Sequence, residues 1–285
     1  ISAAIATFRE ARRLGVARGD HLFSVMVEMT LVLSLNNHGR RREALEVCEE
    51  GIARYTQAAG PSAPWVTLLL GRVGMLYYES NQLELAREYL EQGLMFREKF
   101  ALEFYVSLAR GLSAPTLYAQ GETAAALAAL RGAIQYTAHT GYVDAGYFRA
   151  WEASIHLWQG DLAAAVRWAE EAGLSPDDEP DYLQIESHLA YTRVLLAQNR
   201  LEDARRWLAQ LERFAREREL HRFLISVHVL QALAAERMAE RPAALAYLSD
   251  AVTRAAPQDY VRAILDEGVH VAPLLAELRQ VAPQF

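Results

Sequence analysis

His188 and His228 lie 40 residues apart, and Glu152 and His156 lie one helical turn apart. Imidazole and carboxylate groups so placed are what general acid–base chemistry or a bound transition metal would use. Neither set has a third ligand at motif spacing. The two histidines therefore read as partly buried repeat positions, and Glu152 with His156 as a helix-surface or core pair. The acidic run in Gly173-Leu174-Ser175-Pro176-Asp177-Asp178-Glu179-Pro180-Asp181 lacks the spacing and the closing Glu of a calcium loop, and acids ahead of a helix N-terminus explain it without a metal. Cys48 is the single cysteine, which excludes an intramolecular disulfide and a cysteine-based zinc site. Lys99 is the single lysine, which removes most Schiff-base and lysine–phosphate chemistry. No Gly-x-x-x-x-Gly-Lys loop, dinucleotide fingerprint, His-Glu-x-x-His or Gly-x-Ser-x-Gly occurs. The expectation is a chain without catalysis, metal or cofactor.

Binding chemistry remains, and a repeat positions it. A Gly or Asn turn, or Ala239 in its place, is followed five residues later by Ala: Gly39 with Ala44, Asn81 with Ala86, Gly121 with Ala126, Gly160 with Ala165, Asn199 with Ala204, and Ala239 with Ala244. The steps between these alanines are 42, 40, 39, 39 and 40 residues. One further step back reaches Ala4, so a seventh copy is cut at the N-terminus. With Ile1 and not Met in first place, the chain reads as a fragment of something longer.

Neighbouring columns hold the same register. Four residues after each alanine come Phe8, Cys48, Leu90, Leu130, Ala169, Leu208 and Leu248; seven after come Ala11, Gly51, Gly93, Ala133, Ala172, Leu211 and Ala251. Twelve before come Val32, Gly74, Ala114, Ala153, Thr192 and Ala232, mostly small again. Spacings of four and seven share one helical face. Each copy is thus two antiparallel helices meeting at small residues, which let the axes approach more closely than Leu would. The fold expectation is all-α, a right-handed superhelix, or solenoid, of helix pairs with a period near 40 residues.

In such a solenoid the first helix of each pair lines the concave wall, where binding usually occurs. If the column twelve before the alanine points into the pair, the columns fifteen, eleven, eight and seven before it face the groove. Gly71, Gly111 and Ala150 leave space there, and Met75, Tyr78, Glu79, Tyr118, Ser154, Trp158, Arg193, Glu236 and Arg237 add aromatic faces beside charged groups. Such a lining suits a sugar, a nucleotide-like metabolite or a peptide. Pro115 lies on the same wall and removes the donor for the Gly111 carbonyl. That leaves either an acceptor facing the groove or a kink that adjusts curvature, and both readings stand.

Composition sets the outer bounds. With 285 residues, 52% of them apolar and 23% charged, the chain is globular and not disordered. A formal charge of −7 has the wrong sign for a primary nucleic-acid grip. The most apolar stretch, Phe223 to Ala235, is interrupted by His228 and Gln231 and is shorter than the roughly 20 residues a bilayer span needs. Arg9, Glu10, Arg12 and Arg13 do not fit a secretory signal, so the cytoplasm is the expected compartment. Connections such as Gly60-Pro61-Ser62-Ala63-Pro64 are short, and no linker divides the chain.

These features resemble the tetratricopeptide repeat (TPR), and Asn199-Arg200-Leu201-Glu202-Asp203-Ala204-Arg205-Arg206-Trp207-Leu208 is a close match to it. The period near 40 departs from the usual 34 and is similar to the superhelical sensor domain of MalT-like, LuxR-type bacterial transcription activators. Tyr260-Val261-Arg262-Ala263-Ile264-Leu265-Asp266-Glu267-Gly268, followed by Pro273-Leu274-Leu275, resembles the end of that domain. The resemblance implies helix-pair repeats over 1–256 and capping helices over 257–285. It also implies an inducer or partner in the groove, an upstream ATPase module and a downstream DNA-binding domain outside this chain. No membrane contact, and no nucleic-acid contact by these residues, is expected. The alternatives are a general TPR scaffold holding a peptide segment of a partner, and an α/α-barrel hydrolase. Short connections and apolar inner columns weigh against the hydrolase.

Overall fold

The computed structural model describes residues 1–60, 64–99, 103–140 and 145–281, with side chains except at 64, 96–99, 103–108, 139–140 and 281. The connection at 61–63, the Lys99 side chain and residues 282–285 of the expected cap lie outside the described residues. Among the described residues the structure is helical and contains no strand. A lone helix α1 (Ser2–Arg18) precedes the pairs α2 (His21–Asn37) with α3 (Arg41–Ala59), α4 (Pro64–Glu79) with α5 (Leu83–Lys99), and α6 (Glu103–Ala119) with α7 (Thr123–Thr140). Then come α8 (Gly146–Trp158) with α9 (Leu162–Ala172), α10 (Ile185–Ala197) with α11 (Leu201–Glu217), and α12 (His221–Arg237) with α13 (Arg241–Ala255). Short α14 (Arg262–Leu265) and α15 (Ala272–Val281) follow. No described helix is long and apolar enough to cross a membrane.

The turn column explains why each pair folds back. Gly39, Asn81, Gly121, Gly160, Asn199 and Ala239 all have positive φ. The next residue's N–H reaches back five residues, as from Arg40 to Leu35 (2.8 Å), Arg200 to Leu195 (2.9 Å) and Glu240 to Ala235 (2.8 Å). This is a Schellman closure, and a left-handed residue is its geometric requirement. Glycine and asparagine reach that conformation at little cost, so their recurrence marks where first helices end.

The alanine column is the contact point of the pairs. Ala44, Ala86, Ala126, Ala165, Ala204 and Ala244 are all fully buried. The opposing column is equally enclosed: Val32, Ala114, Ala153, Thr192 and Ala232 are buried, and a β-carbon on Gly74 would stand 2.9 Å from the Ala86 carbonyl oxygen. Ala172 departs from its column. As the last residue of α9 it is exposed, because the left-handed Gly173 ends that helix early and the chain leaves through the buried Pro176.

Two compact units result, Ile1–Tyr136 and Thr137–Phe285, with the boundary inside α7. In the first, α2 packs on α1, α3 and α4, and α4 packs on α5 and α6. Its core includes Leu31, Leu35, Tyr55 and Leu69. A buried carboxylate, Glu28, ties three helices together. It accepts hydrogen bonds from Arg12 of α1 (2.8 Å) and from Arg54 (2.6 Å) and Tyr55 (2.7 Å) of α3. In the second unit, α10 packs on both α8 and α12, and each of these first helices packs on its own second helix. Trp207, Phe223, Leu195 and Tyr260 are among its fully buried side chains. There α14 packs on α12 and α13, and α15 on α13.

Candidate functional site

Within the second unit, α8, α10 and α12 lie side by side and end at equivalent turns, so their inner columns converge. Seven residues before each alanine stand Trp158, Ala197 and Arg237; eight before stand Leu157, Leu196 and Glu236; eleven before stand Ser154, Arg193 and Leu233. Of these nine, all but Ser154 and Glu236 line one pocket of about 390 Å³. Leu157, Leu196, Leu230 and Leu233 form its apolar wall, and Trp158, Arg193, Arg237, Glu267 and His270 its polar side.

Arg193 is the centre of this arrangement. Its guanidinium carbon stands 5.2 Å from the centroid of the Trp158 ring, within cation–π range. Nη1 donates to the Ser154 hydroxyl at 3.4 Å, while Nε and Nη2 both point at one oxygen of Glu267, at 2.9 and 2.8 Å. Trp158 is held edge-on by Trp151, with ring centroids 6.0 Å apart. Burial pulls the Arg193 pKa down, but the Glu267 carboxylate, helped by Glu186 and Asp266, outweighs it and holds the group above its ordinary value. Arg237 donates to the Leu196 carbonyl at the end of α10. Two guanidiniums face one carboxylate here, so the pocket carries a formal excess of positive charge.

Of the ten groove candidates, the structure brings Ser154, Trp158 and Arg193 together. Glu236 instead pairs with Arg241, which also binds Glu277 of α15, so it belongs to the α12–α13–α15 contact. Gly71, Met75, Tyr78, Gly111, Pro115 and Tyr118 lie in the first unit. There Gly71, Tyr78, Gly111 and Pro115 are buried, Met75 and Tyr118 half-buried, and α6 runs unbroken through Pro115. The Gly71 amide lies 3.5 Å from where a β-carbon on Gly93 would be, which places it against α5.

Sequence reasoning missed Glu267 and His270. Both come from the C-terminal segment, and Glu267 meets Arg193 across 74 residues of chain, a pairing no periodicity announces. The sole sign was an acid inside a run that reads only as a terminal motif.

The residues considered first for catalysis have structural surroundings. His188 Nε2 accepts from the Asp181 amide at 2.9 Å and its ring meets Trp207 edge-on at 5.2 Å. His228 stands 3.6 Å from Glu212, and His156 lies 4.0 Å from Glu152 and 3.5 Å from Asp161. The acidic loop is closed on itself: Asp178 accepts from the Ser175 amide and Asp181 caps the turn at Leu183. No group of three metal-ligating side chains occurs among the described residues. Cys48 fills its apolar column, and burial pushes its thiol up to about 12.

Helix pairs closed by left-handed turns and joined through alanines define a TPR-like repeat protein. More narrowly, the chain belongs to the family of the MalT-like TPR region, whose sequence model matches residues 1–281. The structure is similar to that of the Rap conjugation gene regulator of the plasmid pLS20 in complex with the Phr* peptide, with a TM-score of 0.62, 15% identity, and coverage of 91% of this chain and 74% of that one. It is also similar to a Rap protein complexed with Competence and Sporulation Factor, with a TM-score of 0.59, 13% identity, and coverage of 99% and 86%. At those identities the likeness is one of fold. No curated protein sequence matches the chain.

Proposed function

We propose that this chain is the signal-recognising region of a bacterial transcription regulator, a non-catalytic cytoplasmic TPR superhelix that holds an inducer or a partner's peptide on its first helices. Binding is relayed to ATPase and DNA-binding domains outside these residues. The observation that carries the reading is the convergence of equivalent columns of α8, α10 and α12 on one aromatic, cationic pocket with an apolar wall. Family membership supports the regulator, and the two Rap structures, one in complex with the Phr* peptide and one complexed with Competence and Sporulation Factor, support recognition by such a fold. A general peptide-holding scaffold is the second reading, favoured by the Rap complex with the Phr* peptide.

A thermal-shift screen of the chain against sugars, small metabolites and short peptides tests this. A ligand at 100 times its dissociation constant stabilises the fold by about 2.7 kcal/mol. Binding that weakens at least tenfold in a folded Trp158→Ala variant supports the pocket. Ligands whose affinity ignores Trp158→Ala place recognition elsewhere.

A further inference from the structure

Resting on that pocket, we infer that Glu267 occupies the position of a ligand carboxylate, and that the site takes an apolar molecule bearing a carboxylate which displaces Glu267 from Arg193. A guanidinium meets a carboxylate best through two parallel N–H···O bonds, one to each oxygen. Here Nε and Nη2 share Oε1 of Glu267, and Oε2 has no hydrogen-bond partner among the described residues. An incoming carboxylate free to align makes the two-oxygen pair that Glu267 does not.

The segment carrying Glu267 is lightly held. Glu267 opens a single 3₁₀ turn, Gly268–His270, closed by amide bonds of 3.2 and 3.3 Å, at the long end of the normal range. Gly268 has a φ of 55°, and the neighbouring Val269 is 80% exposed. Glu267 itself is buried, so an incoming carboxylate has to take over the space that its side chain leaves. The other elements of the site do not need to move. Arg193 rises from a buried stretch of α10, Trp158 covers one face of its guanidinium, and Ser154 accepts a hydrogen bond from Nη1. Leu196, Leu230 and Leu233 lie in the same pocket and supply a wall for an aliphatic group attached to the carboxylate. Once Glu267 withdraws, Arg193 and Arg237 line the pocket without the carboxylate that touched Arg193.

The probes are N-acetyl-leucine, its neutral analogue N-acetyl-leucinamide, and the capped peptide acetyl-Leu-Glu-Leu-amide, titrated calorimetrically into the whole chain. N-acetyl-leucine is expected to bind Glu267→Gln about tenfold more tightly than the parent, a gain of ~1.4 kcal/mol, and N-acetyl-leucinamide to show no gain. Arg193→Gln should lose the preference for the acid. Tight binding of acetyl-Leu-Glu-Leu-amide identifies a side-chain carboxylate as the source, and preference for N-acetyl-leucine a terminal one. A second readout keeps Glu267 in place. Val269→Cys is spin-labelled in the native protein, where the buried Cys48 does not react, and the acid, not the amide, should increase the label's mobility. Equal binding of acid and amide to Glu267→Gln, no binding of either, or a label indifferent to the acid overturns the inference. Ligands that need Trp158 but ignore the Glu267 change overturn this inference alone, whereas ligands that ignore Trp158 overturn the pocket itself.

Discussion

Gly74 of α4 lies against Leu90 of α5 so closely that a β-carbon at position 74 would stand 2.6 Å from the Leu90 Cγ. The same β-carbon would be 2.9 Å from the Ala86 carbonyl oxygen, a backbone atom that cannot rotate away. In an exposed helix Gly→Ala gains about 1 kcal/mol from propensity. Here overpacking of about 1–3 kcal/mol opposes that gain. Gly74→Ala is therefore expected to be destabilising or at best neutral, and Gly74→Val clearly destabilising, by urea midpoint. A midpoint raised by Gly74→Ala would show that the α4–α5 seam is looser than described. Ala204→Leu on the equivalent seam should cost about 1–3 kcal/mol for the same reason.

Ala239 has a φ of 61° at the turn where four other copies use glycine or asparagine with φ between 57° and 86° and the first uses Gly39 at 82°. A β-carbon in the left-handed region costs roughly 1–2 kcal/mol. Glycine removes that cost but is more flexible when unfolded. Ala239→Gly is expected to stabilise by about 0.5–1 kcal/mol, seen as a higher melting temperature, and Gly121→Ala to destabilise by a similar amount. A melting temperature lowered by Ala239→Gly would mean that this turn carries no strain.

The legible part of the fold is the part set by local constraints. A left-handed turn selects Gly or Asn by its own backbone, and a close seam selects Ala or Gly by its own size, so both columns and the period are explicit in the order of the residues. Arg193 and Trp158 could be placed on the inner wall because helical geometry carries them there. Their contact with Glu267 depends on how a terminal segment folds back, and Glu236 turns to Arg241 because α15 brings Glu277 beside it. Exposure was equally hidden. Phe23 is 46% exposed while its counterpart Phe223 is 2% exposed, and α12 packs on the preceding first helix α10 whereas α2 has only α1 before it.

Glu28 is expected to be the most sensitive charged residue of the first unit. Removing one partner of a buried ion pair costs about 3–5 kcal/mol when the other charge stays buried. The Arg12 and Arg54 side chains are 19% and 27% exposed and can turn toward water, which puts Glu28→Ala near the lower end, about 3 kcal/mol. Arg54→Ala leaves Glu28 with Arg12 and Tyr55 and should cost about 1–2 kcal/mol. The two changes together should cost less than their sum, a coupling that a double-mutant cycle measures. Strict additivity would mean that the two side chains do not share one network.

Stability is expected to fall on mild acidification, and three imidazoles of the second unit set the sign. Burial lowers the pKa of His228; Glu212 and Asp250 push it up, Arg254 and Arg216 push it down, and it stays below its ordinary value. His188 is lowered by burial against the pull of the Asp181 backbone and nearby carboxylates, and His221 by burial and Arg254 against Glu219. Above about pH 6.5, the ordinary imidazole value, folded and unfolded chains both hold these rings neutral. As pH falls through that value the unfolded chain takes up protons that the folded chain refuses, so stability drops until the folded values are passed. The urea midpoint should accordingly be lower at pH 5.5 than at pH 7.5, a window above the ordinary carboxylate range. His228 has no hydrogen bond at either nitrogen, so His228→Leu removes a buried polar ring and should be neutral or stabilising at pH 7.5. At pH 5.5 the same variant should gain more, narrowing the difference between the two midpoints. A difference that His228→Leu leaves unchanged would assign the acid sensitivity to His188, His221 or the carboxylates instead.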